Sequence, residues 1–296
     1  MTAAAPPPVG SGAPKAVGVI GGGRMGAGIA QVFAAAGASV TVVEADPAAG
    51  ASTRERLGAA LRRAAERGKL AEDPAVVLDR ITVTDDIAAL PAAAELVVEA
   101  VPEDARMKIG VLAAAEKAVA EHTVLASNTS SLSIAGIAEG LHRPERFVGM
   151  HFFNPVPASD LVEIVVGPQT ADTVRDAAQF WAAGLGKTPI VVRDSPGFAT
   201  SRLGVLLGLE AIRMLEEGVA DAASIDRAME LGYRHPMGPL RSTDLVGLDV
   251  RLAIAEHLHR ELGERFAPPR LLRDKVARGE LGRKTGQGFH TWEETR

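Results

Sequence analysis

From Ala16 to about Val192, short β-branched runs alternate with longer stretches whose apolar residues recur every third or fourth position. That is the rhythm of βαβ units around a parallel sheet. Strands are predicted at Ala16–Ile20, Ser39–Val43, Ile81–Val83, Leu96–Ala100, Thr123–Ala126, Phe147–His151 and Thr188–Val192. Between the first two, Met25, Ile29, Val32, Phe33 and Ala36 fall on one helix face, and Gly37 stands where a helix C-terminal cap belongs. After Asp194-Ser195-Pro196-Gly197 the rhythm changes. Leu203, Leu206, Leu207, Ala211, Met214 and Leu215 mark a long helix, further helices are predicted over Ala222–Leu231, Leu248–Leu262 and Pro269–Arg278, and no convincing strand follows. The boundary is therefore expected near Ser195, giving an α/β domain over 15–195 and a smaller all-helical module over 196–296 that buries a face against a second subunit.

Composition narrows the function classes. With 47% hydrophobic and 23% charged residues the chain is globular, and 32 Lys+Arg against 37 Asp+Glu leave a net charge of −5 that argues against a nucleic-acid partner. The absence of cysteine excludes disulfides, thiolate metal sites and a cysteine nucleophile, and fits a cytoplasmic protein. No metal constellation is expected, because the 7 His are scattered without ligand spacing. Residues 1–14, rich in Ala, Pro, Gly and Ser, read as a disordered tail without the basic start or apolar core of a secretory signal. Charged residues or glycine interrupt every apolar run, so no membrane span is expected.

Directly after the first predicted strand comes Gly21-Gly22-Gly23-Arg24-Met25-Gly26, a G-x-G-x-x-G string at the strand-to-helix turn where it binds a dinucleotide. Gly21 permits the turn, Gly23 lets backbone approach a pyrophosphate, and Gly26 lets helix and strand pack, while the helix N-terminus offers free N–H groups to the anion. Taken alone the string is a flexible turn. Glu44 changes that reading, for it ends the second strand about 20 residues on, where an acid binds a ribose hydroxyl and repels a 2′-phosphate; NAD is favoured over NADP. Arg24, which could meet a phosphate, is more simply a solvated residue of the first helical turn.

Ser127-Asn128-Thr129-Ser130-Ser131-Leu132, Met150-His151-Phe152-Phe153-Asn154-Pro155-Val156-Pro157 and Leu161-Val162-Glu163, in this order, resemble the L-3-hydroxyacyl-CoA dehydrogenases. The resemblance extends through Val98-Glu99-Ala100-Val101-Pro102-Glu103, Pro196-Gly197-Phe198, His235-Pro236-Met237-Gly238-Pro239-Leu240, Asp244–Asp249 and Lys284–Phe289 and covers everything but the tail. With no hydratase domain attached, the chain looks most like the stand-alone 3-hydroxybutyryl-CoA enzymes. The resemblance implies a Rossmann-type doubly wound, mostly parallel sheet followed by a helical domain, NAD as cofactor, an acyl-CoA substrate and a homodimer formed through the C-terminal domain. It implies that His151 takes the substrate hydroxyl proton, that Glu163 orients the imidazole and that Ser130 binds the substrate oxygen. Met25, Glu103, Lys108 and Asn128 match positions near the cofactor, and Asn154 and Ser201 positions near the substrate. Arg67, within the basic group Arg62, Arg63, Arg67 and Lys69 on the second crossover helix, matches a contact to coenzyme A.

Elementary chemistry agrees with these roles. Oxidising an alcohol by hydride transfer requires loss of the O–H proton, and histidine is the side chain whose ordinary titration lies nearest neutrality. A carboxylate on its other ring nitrogen fixes the tautomer. Without the resemblance, His151 reads as a hydrogen-bonded core histidine, Glu163 as a solvated strand residue, Glu103 and Lys108 as solvated helix residues, and the Asn-Thr-Ser-Ser stretch as ordinary loop or cap chemistry. One position departs from the family pattern: Ser201 precedes Arg202 where the family carries asparagine, and a serine offers one donor in place of two. His290 stands where the family has an aromatic residue and is assigned to packing or a dimer contact. Two other functions stay open: the same chemistry on a carrier-protein-bound or free hydroxy acid, and a non-catalytic, crystallin-like relative that binds NAD without turnover.

Overall fold

A computed structural model of the chain describes residues 12–292. The chain forms two compact units that divide between Asp194 and Ser195. Of the expected tail, residues 1–11 lie outside the described residues; Gly12–Pro14 differ from that expectation, since Pro14 is buried and the backbone of Gly12 lies against Gly184.

The first unit is an eight-stranded sheet of β1 (Ala16–Ile20), β2 (Ser39–Val43), β3 (Ile81–Thr84), β4 (Leu96–Glu99), β5 (Val124–Ser127), β6 (Phe147–Phe152), β7 (Leu161–Val166) and β8 (Thr188–Arg193), in the order β3-β2-β1-β4-β5-β6-β7-β8. All neighbours pair in parallel except β6 and β7. The chain winds outward from β1 in both directions, and right-handed crossovers then place helices on opposite faces and open a crevice at the carboxyl ends of β1 and β4. Their sequences explain these strands: β1, β4 and β5 are buried almost throughout and read as short apolar runs, as parallel strands covered on both faces must.

Helix ends follow from local chemistry. α1 (Arg24–Ala35) begins at Gly23 with no side-chain cap, and Gly37 after it takes a left-handed φ of 92°. α2 (Pro47–Glu66) and α3 (Pro74–Asp79) each start with Asp-Pro, the carboxylate accepting an amide of the first turn and proline filling a position that needs no donor. α4 (Ala105–Ala118) is capped by Asp104; α5 (Ile134–Ala138) and α6 (Asp172–Gly184) complete the cover. Phe33 of α1 meets Phe152 of β6 edge to face, ring centroids 6.4 Å apart.

The second unit contains α7 (Thr200–Glu216), α8 (Ala222–Gly232), α9 (Pro239–Val246), α10 (Leu248–Leu262) and α11 (Arg270–Ala277), packed around Val205, Leu209, Ile212, Leu248, Leu258 and Phe266. Its C-terminal segment is tied down by two buried acids. Asp244 accepts the amides of Phe289 and His290 and the Trp292 indole N–H, each at 2.9 Å, while Asp226 meets the His290 ring at 2.8 Å. His290 thus has a packing role within this unit.

Two elements go beyond those expected from periodicity. α9 starts at Pro239 inside a Pro- and Gly-rich stretch that reads as a loop, and β7 holds a charged residue in its middle, which breaks an otherwise apolar run. Phe33 is fully buried, so Phe33→Ala is expected to cost about 3–5 kcal/mol. Urea unfolding followed by circular dichroism measures this loss.

Candidate active site

Three groups of sequence-selected residues gather at the carboxyl ends of the parallel strands. The first is the glycine turn. Gly21 has φ 91°, and a side chain there would press on the Ala100 backbone; a Cβ on Gly26 would stand 1.7 Å from the Gly21 carbonyl oxygen. Gly23, by contrast, faces open space within 4 Å. Glu44 braces the turn, its Oε1 accepting the Gly22 amide at 2.9 Å and the Thr53 hydroxyl at 2.7 Å. Open space beside Gly23, uncapped amides at the start of α1 and a carboxylate at the end of β2 fit a dinucleotide: amides for the pyrophosphate, Glu44 for the ribose. Thr53 and Arg56, whose Nη1 donates to the Gly22 carbonyl at 2.7 Å, were not singled out by sequence because they belong to an ordinary helix until the fold lays α2 beside the turn.

The second group joins β4 to the loop after β5. Glu103 Oε1 accepts the Thr129 hydroxyl at 2.6 Å and the Ser130 amide at 3.0 Å, with the Ser130 and Ser131 hydroxyls at 3.3 Å. Lys108 is not a solvated helix residue: it is 1% exposed and donates to Glu99 Oε1 at 2.8 Å and the Val101 carbonyl at 3.1 Å, with Glu103 Oε2 at 3.2 Å. Burial pushes the Glu103 carboxyl up, but the Lys108 charge and the surrounding donors outweigh it and hold the group below its ordinary range.

The third group depends on the sheet's single antiparallel pairing. Register sets His151 opposite Glu163, and His151 Nδ1 lies 2.7 Å from Glu163 Oε2. Glu163 is 0% exposed and His151 7%, so the acid is buried in an ion-pair geometry and not solvated on a strand. Phe153 packs on the imidazole with ring centroids 4.3 Å apart. Asn128 connects this group to the second, its Oδ1 accepting the Phe152 amide at 2.9 Å.

The remaining residues lie on other elements. Asn154 is exposed on the loop after β6, and Ser201 lies in the first turn of α7 in the second unit. Arg67 is the exposed C-cap of α2, about 30 Å along the helix from its start, with Arg62 and Arg63 on its last turns and Lys69 just beyond it. Among the described residues there is no group of three or more potential metal ligands and no helix long and apolar enough to cross a membrane.

Residues 16–195 match the model of the 3-hydroxyacyl-CoA dehydrogenase NAD binding domain, and residues 197–292 that of the 3-hydroxyacyl-CoA dehydrogenase C-terminal domain. The chain belongs to the 3-hydroxyacyl-CoA dehydrogenase family. It is 43% identical over 276 residues to a probable 3-hydroxybutyryl-CoA dehydrogenase of Deinococcus radiodurans, covering 93% of this chain and 99% of that one. The 3-hydroxybutyryl-CoA dehydrogenase of Mycobacterium tuberculosis is 42% identical over 283 residues, 93% of this chain and 98% of the relative. The crystal structure of (S)-3-hydroxybutyryl-CoA dehydrogenase from Ralstonia eutropha superposes with a TM-score of 0.89 at 40% identity, covering 95% of this chain and all of that one. Like other members, this dehydrogenase uses NAD and interconverts 3-hydroxyacyl-CoA and 3-ketoacyl-CoA.

The dehydrogenase's glycine turn leaves no room for a methyl group at Gly26. Gly26→Ala is expected to weaken NADH binding by at least about tenfold, read by fluorescence titration, because helix and strand must separate to admit it.

Proposed function

We propose that this dehydrogenase prefers short-chain L-3-hydroxyacyl-CoA, with 3-hydroxybutyryl-CoA as its main substrate, and that His151 transfers the proton. The observation that carries the proposal is the buried 2.7 Å contact between His151 Nδ1 and Glu163. NAD, when bound, supplies the hydride acceptor, and NADH the donor in the reverse direction. As C3 of the substrate becomes a ketone, its hydroxyl must give up a proton to a base within hydrogen-bond reach. An ionised Glu163 can only accept, so it holds a proton on Nδ1 and assigns exchange with the substrate to Nε2. Once the ring has taken the second proton, the same buried carboxylate stabilises the imidazolium.

Ser130 is assigned to bind the substrate's C3 oxygen. Gly21, Gly23, Met25, Gly26, Glu44, Glu103, Lys108 and Asn128 are assigned to the cofactor site, the last through its amide NH2, since its oxygen is engaged by Phe152. Lys108 serves from within, through Glu103. Asn154 and Ser201 are assigned to the acyl thioester, and Arg67 with its basic neighbours to the phosphates at the far end of coenzyme A. The preference for a short acyl chain is supported by the names of the relatives. Exposed Leu203 and Leu207 on α7 support a homodimer formed through the helical unit, and the lack of cysteine a cytoplasmic location.

Purified protein is expected to oxidise NADH with acetoacetyl-CoA faster than with longer 3-ketoacyl-CoA esters, and to use NADPH at least about tenfold less efficiently because Glu44 repels a 2′-phosphate. His151→Gln should lower kcat by about 10²–10⁴ while NADH still binds. Binding of NADH without turnover of any 3-ketoacyl thioester by the unaltered protein would mark a non-catalytic relative, and turnover only of carrier-bound chains a different substrate class. Ser201→Asn is expected to shift the ratio of kcat/KM between short and longer acyl chains; an unchanged ratio removes this position from substrate selection.

A further inference from the structure

Beneath the loop that carries Ser130 lies a buried acid to which the proposed chemistry gives no part. Glu99 ends β4 with no solvent exposure, and β4–β5 register sets it beside Ser127. Its Oε2 accepts the Ser127 hydroxyl at 2.6 Å, and its Oε1 accepts the Val101 amide at 2.6 Å and the Lys108 ammonium at 2.8 Å. Ser127 in turn accepts the Thr129 amide at 3.2 Å, and the Glu99 carbonyl accepts the Asn128 amide at 2.9 Å. The three donors of Lys108 are divided among Glu99, the Val101 carbonyl and Glu103. Glu103 reaches Ser130 through its amide and hydroxyl. A continuous set of contacts therefore runs from a fully buried carboxylate to the hydroxyl assigned to the substrate.

Retaining such an acid is costly, since an apolar residue of similar volume would avoid its desolvation. Two carboxylates also share one ammonium, and the sharing is uneven. Burial pushes the Glu99 carboxyl above its ordinary range against the pull of Lys108, whereas Lys108 and the surrounding donors hold Glu103 below its own.

We propose that Glu99 is a positioning residue: by anchoring Lys108 and Ser127 it sets Glu103, and through Glu103 the orientation of the Ser130 hydroxyl that receives the substrate oxygen. The inference rests on the role given to Ser130 above. Neutralising Glu99 without changing its shape leaves Glu103 as the only acid facing the ammonium. Lys108 then closes on Glu103 and draws it off the Thr129–Ser131 loop.

The test is a double-mutant cycle of Glu99→Gln and Glu103→Gln, with kcat and KM for acetoacetyl-CoA and NADH affinity by fluorescence. Glu99→Gln should lower kcat about tenfold, and in the Glu103→Gln background the same change should cost less than about twofold. A purely structural role would lower the melting temperature and give losses that add across the cycle; additive losses, or a kcat within about twofold of the unaltered enzyme, overturn the proposal. Ser127→Ala, which takes one donor from Glu99, enters the same cycle if Glu99→Gln does not fold and must show coupling of the same sign. The unaltered protein and His151→Gln are run in parallel: no turnover by the former, or full turnover by the latter, sinks the functional reading itself, while a normal pair beside an uncoupled cycle sinks only the role of Glu99.

Discussion

The site depends on one reversal of strand direction. Every other pairing in the sheet is parallel, and only because β7 runs against β6 does Glu163 come to lie opposite His151. Side chains alternate across a strand, so a slip of one residue would carry Glu163 to the other face and leave a charge buried with no imidazole to meet it. The contact and the register therefore support each other: the pair selects the register, and the register holds the pair.

The same economy of backbone governs the cofactor end. The strand order reverses at β1 and β4, which opens a crevice at their carboxyl ends, and each chemical group enters it from the end of a different strand. Gly21–Gly26 follow β1, Glu44 follows β2, Glu103 follows β4, Asn128–Ser131 follow β5 and His151 sits near the end of β6. Short loops on stiff strands keep these groups in place, and contacts such as Glu44 with the Gly22 amide and Glu103 with the Ser130 amide brace them. Where loops need help, buried charges give it: Glu99 and Lys108 brace the Ser130 loop, and Lys187 braces the loop after β6 by donating to the Val156 and Ser159 carbonyls at 2.7 Å each.

Much of this could be read from the chain itself. Glycines at a strand-to-helix turn and an acid just past the next strand were legible because both lie within one βαβ unit, and the apolar runs of β1, β2, β4 and β5 are short and clean enough to be recognised. The change after Ser195 from strands alternating with helices to helical spacing alone was equally plain, because that spacing is a local pattern. Elements whose sequence carries a conflicting signal were harder: β7 has Glu163 at its centre, and α9 begins in a Pro- and Gly-rich stretch.

What the sequence determined by itself was thus the class of fold, NAD as cofactor and, through ordered motifs, the family. The tertiary structure alone decided which charges are buried and what they touch. Lys108 and Glu163 look like solvated residues in a linear chain, and Thr53 and Arg56 like residues of any surface helix. The cause is physical: a local pattern records the preference of a backbone segment, whereas the partner of a buried charge comes from a strand or helix tens of residues away and exists only once the sheet has closed around both.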